Sequence, residues 1–286
     1  MIKSIAIDMD GTLLNKSQKV SKENREAIIS AQNKGVEVVI ATGRSFSEAR
    51  YALDEADITC PIIGINGAVV MSEEGKVAAS NPMNVEDVIA ADRILSEKDL
   101  YYEIYTSEGT FSKDFDRSVA TLVDIYLTAN PDIDPLAVSE HARQRLELGH
   151  LKTIESYEKL FQEPNIEFYK LLVFSVDLKK LGEAASELKE TVNLAVTSSG
   201  RENIEVNSME AQKGIALEKY LEKKEIPLSE AMAIGDNYND VSMFERVGRA
   251  VAMGNAPSDI QKLCDFVTDT NEENGVANAI WKVLKD

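Results

Sequence analysis

The fold is decided near the start of the chain by the stretch Ile5-Ala6-Ile7-Asp8-Met9-Asp10-Gly11-Thr12. Isoleucines flank a small alanine there, and this apolar run predicts a short buried strand. The strand ends at Asp8, and ligands of open α/β sheets bind at the carboxyl ends of strands. Asp8 and Asp10, with a flexible glycine behind them, therefore suggest a metal ion and a nucleophile, the requirements of a phosphoryl-transfer enzyme.

The composition is that of an ordinary globular protein. The chain has 286 residues, of which 44% are hydrophobic, so about two domains of roughly 150 residues each are expected. No apolar stretch approaches the ~20 residues that span a bilayer. Asp8 and Asp10 interrupt the only candidate for a signal peptide, and the two cysteines do not indicate a disulfide framework. We therefore expect a cytoplasmic protein.

The formal net charge of −18 argues against several kinds of partner. Such a surface repels nucleic acids and anionic membranes, and no cluster of Lys and Arg offsets it. It also repels phosphate esters, although salt screens this repulsion beyond about 8 Å at physiological ionic strength. An anionic substrate would therefore need local cations, namely a metal ion and one or two Lys or Arg side chains.

Residues 1–81 alternate strands with helices. Helices of ~10–15 residues between buried strands imply right-handed βαβ units and a parallel sheet. The predicted elements after the first strand are a helix from Ser21 to Gly35, a strand over Val36–Ala41, a helix over Ser45–Ala56 and a strand over Pro61–Ile65.

The pattern changes after Pro82 and returns to α/β type from Gly214. The intervening elements are predicted as a helix over Val85–Lys98, strands over Tyr101–Tyr105, Thr110–Ser112 and Phe168–Val176, a helix over Leu178–Glu190, and strands over Leu194–Thr197 and Ile204–Val206 around a turn at Ser199-Gly200. Residues 113–165 are not assigned, and their histidines, His141 and His150, lack neighbouring metal ligands and are interpreted as structural or surface residues. We predict an α/β domain of residues 1–82 and 209–286, with a Rossmann-like parallel sheet, and an inserted α+β domain of residues 83–208.

Three further motifs lie at strand ends or helix starts. Thr42-Gly43-Arg44 follows the second strand, Lys213-Gly214 begins a helix, and Gly235-Asp236-Asn237-Tyr238-Asn239-Asp240 follows a strand. Each motif alone has an ordinary explanation, such as a chance pair of acids, a capped turn or a solvated lysine. Their joint order, with each at a junction of strand and helix, favours one shared phosphate site.

Together with Asp8-Met9-Asp10-Gly11-Thr12, these motifs resemble the four motifs of the haloacid dehalogenase superfamily. The resemblance covers the whole chain and is strongest to the Cof-type phosphatases, which carry a large α+β cap (type IIB) inserted after the second motif. It implies a cap that covers the site, excludes water and reads the leaving group.

The chemistry of each motif residue assigns it a role. Asp8 is the predicted nucleophile, because a carboxylate can form an aspartyl phosphate. Asp10 is predicted to protonate the leaving alkoxide and then to take a proton from the hydrolytic water. Asp8, Asp236 and the backbone carbonyl of Asp10 are candidate ligands of Mg²⁺, which prefers oxygen. Lys213 would bring positive charge to the phosphoryl oxygens, and Asp240 would orient Lys213 and the metal site.

A second group of residues is expected to bind the phosphate or the substrate. Thr42 offers a hydroxyl, the amide of Gly43 can approach closely because no Cβ intrudes, and Asn239 is a further donor. Arg44 either contacts the substrate or forms a salt bridge, and Asn66 is included because the resemblance places it at the mouth of the site. The full set of candidates is Met9, Thr42, Gly43, Arg44, Asn66 and Asn239.

These observations predict a Mg²⁺-dependent phosphatase for small phosphorylated metabolites. The resemblance implies sugar phosphates, pyridoxal phosphate or flavin-related phosphates as substrates. The negative net charge predicts neither a nucleic acid nor a membrane as partner. A monomer or weak homodimer is expected. Two alternatives remain open, a phosphomutase that returns the phosphoryl group to its substrate and a sensor that binds a phosphorylated ligand without turnover.

Overall fold

The computed structural model describes residues 1–129, 134–198 and 201–285. The chain divides into two compact units: Met1–Asn81 with Glu210–Asp286, here called the α/β unit, and Pro82–Met209, here called the inserted unit. The turn predicted at Ser199-Gly200 and the side chain of His141 lie outside the described residues. In the part of the chain that is described, no helix has the length and apolar character needed to cross a membrane.

The elements are numbered in chain order. The first part of the α/β unit contains β1 (Ser4–Ile7), α1 (Lys22–Asn33), β2 (Glu37–Ala41), α2 (Phe46–Asp54), β3 (Ile62–Gly64), β4 (Val69–Met71) and β5 (Val77–Ser80). The inserted unit contains α3 (Val85–Glu97), β6 (Tyr101–Thr106), β7 (Gly109–Ser112), α4 (Phe115–Ala129), α5 (Pro135–Glu147), β8 (Lys152–Thr153), α6 (Glu158–Phe161), β9 (Phe168–Phe174), α7 (Leu178–Thr191), β10 (Ala195–Thr197) and β11 (Asn203–Asn207). The chain completes the α/β unit with α8 (Lys213–Lys223), β12 (Ala231–Gly235), α9 (Val241–Phe244), β13 (Arg249–Ala252), α10 (Ser258–Gln261), β14 (Phe266–Val267) and α11 (Gly275–Lys285).

Strand β1 lies in the middle of the main sheet. Among the described residues, eight strands form this sheet in the order β14-β13-β12-β1-β2-β3-β4-β5. The pairs from β14 to β3 are parallel, and β4 and β5 are antiparallel additions at one edge. The last residue of β1, Ile7, pairs with Ile40 of β2 and Ile234 of β12. The predicted α/β class with a parallel sheet is confirmed, and the carboxyl ends of β1, β2 and β12 lie side by side.

The apolar sequence of β1 follows from burial on both faces of this sheet. Ile5 and Ile7 pack into one core cluster with Ile28 of α1. Ala6 belongs to the cluster on the opposite face, which includes Leu217 of α8. A strand covered by helices on both sides has no solvent-facing positions, so its sequence is continuously apolar rather than alternating. This packing holds the end of β1 in a fixed position.

The β4–β5 hairpin is an element that the sequence analysis does not predict. The strands Val69–Met71 and Val77–Ser80 pair antiparallel beyond β3, with a shift in register between Val70 and Met71. Both strands have only three or four residues, which is too short for a clear period-2 pattern. The turn residue Gly75 has a φ of 73° and is the local signal that a hairpin lies here.

The inserted unit is built on a second sheet with the order β10-β11-β9-β6-β7-β8. Helices α3 and α7 pack on one face of it through apolar side chains, among them Leu95 and Leu188. Helices α4 and α5 occupy the segment that the sequence left unassigned. The signal for α5 is Asp134 followed by Pro135, because the Asp134 side chain accepts a hydrogen bond at the helix start and proline suits the first turn.

Candidate active site

Three polar residues directly follow the neighbouring strands β1, β2 and β12. They are Asp8, Thr42 and Asp236, one at each strand end. The amide of Asp8 still donates to the carbonyl of Ile234 at 3.0 Å, so its backbone is held by the sheet while its side chain lies beyond it. The Asp8 residue is only 4% exposed. The sheet therefore brings these residues to one edge, as the sequence predicts for the ends of adjacent parallel strands.

Lys213 lies at the same edge although it comes from a distant part of the chain. It is the first residue of α8 and is fully buried. Its Nζ donates to Asp8 Oδ1 at 2.6 Å and to Asp240 Oδ1 at 2.7 Å. The following Gly214 permits this approach, because a Cβ there would lie 1.8 Å from the carbonyl oxygen of Ser242. Burial would by itself lower the pKa of Lys213, but the charges of Asp240 and Asp8 outweigh burial and raise it.

Both carboxylate oxygens of Asp240 accept hydrogen bonds from other residues of the site. Its Oδ1 accepts from Lys213, and its Oδ2 accepts from the backbone amides of Asp236 and Asn237 at 3.0 and 3.1 Å. The residue is fully buried. Asp240 thereby contacts both the ammonium group and the turn that carries Asp236, and its role in orienting them for catalysis stays a prediction.

The arrangement of the carboxylates fits a divalent cation. One oxygen from each of Asp8, Asp236 and Asp240 lies within 4.8 Å of the others. Burial, reinforced by the charge of Asp240, raises the pKa of Asp8 well above its ordinary range and that of Asp236 to about 6. Lys213 therefore compensates these charges only in part, and hard oxygen donors of this kind suit Mg²⁺. Asp240 is fully buried and binds Lys213 and two backbone amides, whereas Asp8 and Asp236 directly follow β1 and β12. Asp8 and Asp236 therefore stay the candidate carboxylate ligands.

The side chain of Asp10 lies outside this cluster and is held by Arg44. The Nε of Arg44 donates to Asp10 Oδ2 at 2.9 Å, and its Nη2 donates to Asp10 Oδ1 at 2.5 Å. The same Nη2 also donates to Oε1 of Gln18. Of the two roles left open for Arg44, the structure shows the salt bridge. Asp10 is expected to bind the metal ion through its backbone carbonyl oxygen, and this stays a prediction.

The predicted phosphate-binding residues gather beside Thr42. The Thr42 hydroxyl accepts from the amide of Arg44 at 3.1 Å. Ile65 and Asn66 have φ angles of 51° and 56°, which end the third strand at Gly64, earlier than predicted, and turn the chain back. The amide of Asn66 then donates to the carbonyl of Thr42 at 2.9 Å. Its Oδ1 accepts from Nδ2 of Asn239 at 3.2 Å. Gly43 lies against the same side chain, since a Cβ there would be 3.1 Å from Asn66 Oδ1.

Met9 contributes differently from the other candidates. Its side chain is completely buried and packs in the hydrophobic cluster with Ile5 and Ile7. Only the backbone of Met9 is therefore available to a substrate.

Two residues that the sequence analysis did not select hold Asp236. The Thr12 hydroxyl donates to Asp236 Oδ1 at 3.1 Å. The Nδ2 of Asn255 donates to the carbonyl of Gly11 at 2.8 Å and to Asp236 Oδ2 at 3.4 Å. Gly11 is required here, because it has a φ of 77° and a Cβ would lie 2.4 Å from Asp236 Oδ2. Asn255 follows β13, so looking for polar residues after every parallel strand would have found it.

Comparisons with known proteins identify the family of the chain. A family model described as haloacid dehalogenase-like hydrolase matches residues 5–280. Phosphatase YwpJ of Bacillus subtilis is 35% identical over 99% of this chain and 100% of its own length. The 5-amino-6-(5-phospho-D-ribitylamino)uracil phosphatase YwtE of the same organism is 38% identical over 99% of this chain and 98% of its own. A solved haloacid dehalogenase-like hydrolase from B. subtilis superposes with a TM-score of 0.86, at 34% identity, over 98% of this chain and 99% of that one.

The chain belongs to the haloacid dehalogenase-like hydrolases. It is an enzyme of that family whose relatives are named phosphatases. The predicted family membership is thus confirmed over nearly the whole chain.

Proposed function

We propose that this protein is a Mg²⁺-dependent phosphatase that hydrolyses small phosphorylated metabolites through an aspartyl phosphate on Asp8. The observation that carries the proposal is the buried Asp8 carboxylate at the end of β1, fixed by Lys213 through one oxygen at 2.6 Å. The other oxygen, Oδ2, is the atom proposed to attack phosphorus. A carboxylate held in one direction beside a cation is the arrangement that a covalent phosphoryl transfer needs.

In the first step, the Asp8 carboxylate forms a bond to phosphorus while the bond from phosphorus to the leaving-group oxygen breaks. Asp10 gives its proton to that oxygen, so an alcohol leaves rather than an alkoxide. In the second step, water attacks phosphorus, Asp10 takes one proton from the water, and the bond from phosphorus to Asp8 breaks. The products are an alcohol and inorganic phosphate, and both aspartates return to their starting states.

The remaining residues of the site neutralise and orient the phosphoryl group. Lys213 supplies a fixed positive charge, and Thr42 and the amide of Gly43 supply hydrogen-bond donors. When bound by Asp8 and Asp236, Mg²⁺ would supply further positive charge toward the phosphoryl oxygens. These local cations would offset the repulsion between a phosphate ester and a protein of net charge −18.

We propose that the inserted unit selects the leaving group, and that flavin-precursor, pyridoxal and sugar phosphates are the substrates to test first. The relative that is 38% identical carries the name of a flavin-precursor phosphatase, which supports the first of these classes. We expect phosphate release from at least one member of such a panel with Mg²⁺, and none with a chelator until Mg²⁺ is restored. The measurement is colorimetric phosphate together with chromatography of the product. An isomerised ester without free phosphate would instead indicate a mutase, and tight binding without release a sensor.

The affinity for Mg²⁺ should depend on pH through Asp236. The pKa of this carboxyl is raised to about 6 by burial and by Asp240, so protons compete with the metal below that pH. We expect the dissociation constant to be constant well above this pKa and to rise roughly tenfold per pH unit below it, for each proton displaced. Calorimetric titration of Mg²⁺ across this range checks the expectation. An affinity that does not change with pH would contradict it, and Asp236→Asn should bind weakly, with only the pH dependence that Asp8 contributes.

The raised pKa of Asp236 has the opposite effect on the stability of the metal-free protein, which falls as the pH rises. Because the folded state holds the Asp236 proton more tightly than the unfolded state, its stabilising contribution is present at low pH. That contribution is lost as the pH rises from the unfolded value to about 6. Mg²⁺ should therefore stabilise the protein most above this range.

A further inference from the structure

We propose that Arg44, braced by Gln18, is a positioning residue that fixes the direction of the Asp10 carboxylate for proton transfer to the leaving group. The inference rests on the proposed function, in which Asp10 is the general acid. It extends that function by assigning a role to an arginine and a glutamine that contact neither Asp8 nor Lys213 in any hydrogen bond of the described structure.

The contact between Arg44 and Asp10 is two-pronged. Nε and Nη2 of Arg44 reach the two different oxygens of the Asp10 carboxylate, at 2.9 and 2.5 Å. Two parallel bonds from a planar guanidinium fix the plane of a carboxylate, whereas a single bond leaves it free to rotate. The Asp10 side chain is 52% exposed, so packing alone does not hold it. Its orientation therefore depends on Arg44.

Arg44 is itself held at both ends. At its base, the amide donates to the Thr42 hydroxyl at 3.1 Å, and the carbonyl accepts from the amide of Ile65 at 2.9 Å. At its tip, Nη2 donates to Oε1 of Gln18. Gln18 lies in a tight turn, where its φ is 59° and its amide donates to the carbonyl of Asn15 at 2.8 Å. The guanidinium is thus anchored between the end of β2 and the turn that contains Gln18.

The hydrogen bonds from Arg44 still allow the Asp10 carboxyl group to transfer a proton. An ionised carboxylate offers about four lone-pair sites, and the two bonds from Arg44 use two of them. Each oxygen of Asp10 therefore keeps a site for the proton that it transfers. An arginine that bound the transferred phosphoryl group directly would contribute equally to all phosphate esters. An arginine that aims the general acid contributes most where the leaving group most needs a proton.

The test uses a series of substituted phenyl phosphates that differ in the pKa of the phenol but little in shape. Arg44→Ala should lower kcat/KM for the poorest leaving group at least about tenfold more than for the best one. The plot of log kcat/KM against leaving-group pKa then becomes steeper than that of the wild type. Asp10→Asn should steepen it in the same way, and the double variant should be no steeper than Asp10→Asn alone.

Three further variants keep the result interpretable. Gln18→Leu, which leaves both Arg44 and Asp10 in place, should steepen the plot to a smaller degree. Arg44→Lys keeps the charge but not the two-pronged contact, so its plot should be steeper than that of the wild type, as for Arg44→Ala. Arg25→Ala is the matched control, because Arg25 of the same unit donates to Ala56 and pairs with Asp57 away from the motif residues. It should leave the plot unchanged.

A wild-type slope in Arg44→Ala would overturn the inference, whether kcat/KM falls equally for all esters or does not fall. An equal fall would assign Arg44 to binding the phosphoryl group. These outcomes differ from a failure of the proposed function. That failure would appear as a wild-type enzyme without phosphate release, or as an Asp8→Asn variant that keeps its rate.

Discussion

Asp8→Asn should abolish phosphate release and at the same time make the metal-free protein more stable. Asparagine has nearly the same shape and can still accept the hydrogen bond from Lys213, which in the native protein is 2.6 Å long. Its amide is not a nucleophile toward phosphorus, so no covalent intermediate forms. We expect kcat to fall by a factor of roughly 10⁴ or more, as for other nucleophiles of covalent catalysis.

The expected gain in stability has an electrostatic cause. Burial and the charges of Asp240 and Asp236 raise the pKa of Asp8, which means that folding disfavours its ionised form. A group whose folded pKa is raised loses its contribution to stability as the pH rises through that pKa. At neutral pH the uncharged asparagine avoids this loss. The thermal midpoint of the metal-free variant should therefore exceed that of the wild type.

Measuring both kcat and the thermal midpoint distinguishes the loss of the nucleophile from a disruption of the fold. Asp54→Asn is the matched control, because Asp54 is a largely exposed carboxylate on α2 that pairs with Arg50. It should change neither kcat nor the thermal midpoint appreciably. Substantial turnover by Asp8→Asn would contradict the assignment of the nucleophile. A lowered thermal midpoint would contradict the account of the buried charges.

Lys213→Met should lower both the unfolding free energy and kcat. The side chain is completely buried between Asp8 and Asp240. Removing one partner of a buried ion pair leaves the others uncompensated, which costs about 3 kcal/mol or more of unfolding free energy. The loss of a fixed positive charge beside the phosphoryl group should lower kcat by roughly 10²- to 10³-fold. Urea denaturation and steady-state kinetics at a temperature where the variant is folded measure the two effects.

Lys219→Met provides the comparison on the same helix. Lys219 is 45% exposed and pairs with Glu210 at 3.0 Å. Exposed pairs of this kind contribute at most about 1 kcal/mol, so we expect little change in stability and none in kcat. Equal losses of stability and kcat in Lys213→Met and Lys219→Met would contradict the roles assigned to the buried contacts of Lys213 with Asp8 and Asp240.

The residues at strand ends were the most predictable part of the site. Asp8, Thr42 and Asp236 each end an apolar run, and the geometry of parallel strands brings such residues together without knowledge of any side-chain contact. Lys213 was predictable as a member of the site only through the order of motifs. That it bridges Asp8 and Asp240 depends on how closely α8 approaches α9 at Gly214, and local sequence does not encode this distance.

The contacts of Arg44 and Asn255 were not predictable in this way. Both side chains are long or polar enough to make several alternative hydrogen bonds, and tertiary packing decides between them. In the fold, the β4–β5 hairpin and helices α4 and α5 were missed for related reasons. The strands are too short to show a period, and the stability of α5 in its position depends on long-range contacts such as the 2.9 Å bond from Arg145 to Glu103.

The central claim is that the phosphoryl group passes through Asp8. The most direct measurement quenches the enzyme during turnover with borohydride, which reduces an acyl phosphate to an alcohol, and then maps the modified residue by peptide mass spectrometry. We expect reduction at Asp8, only when both Mg²⁺ and a phosphate ester are present, and none in Asp8→Asn. Reduction at another carboxylate, or turnover by Asp8→Asn at the wild-type rate, would contradict it.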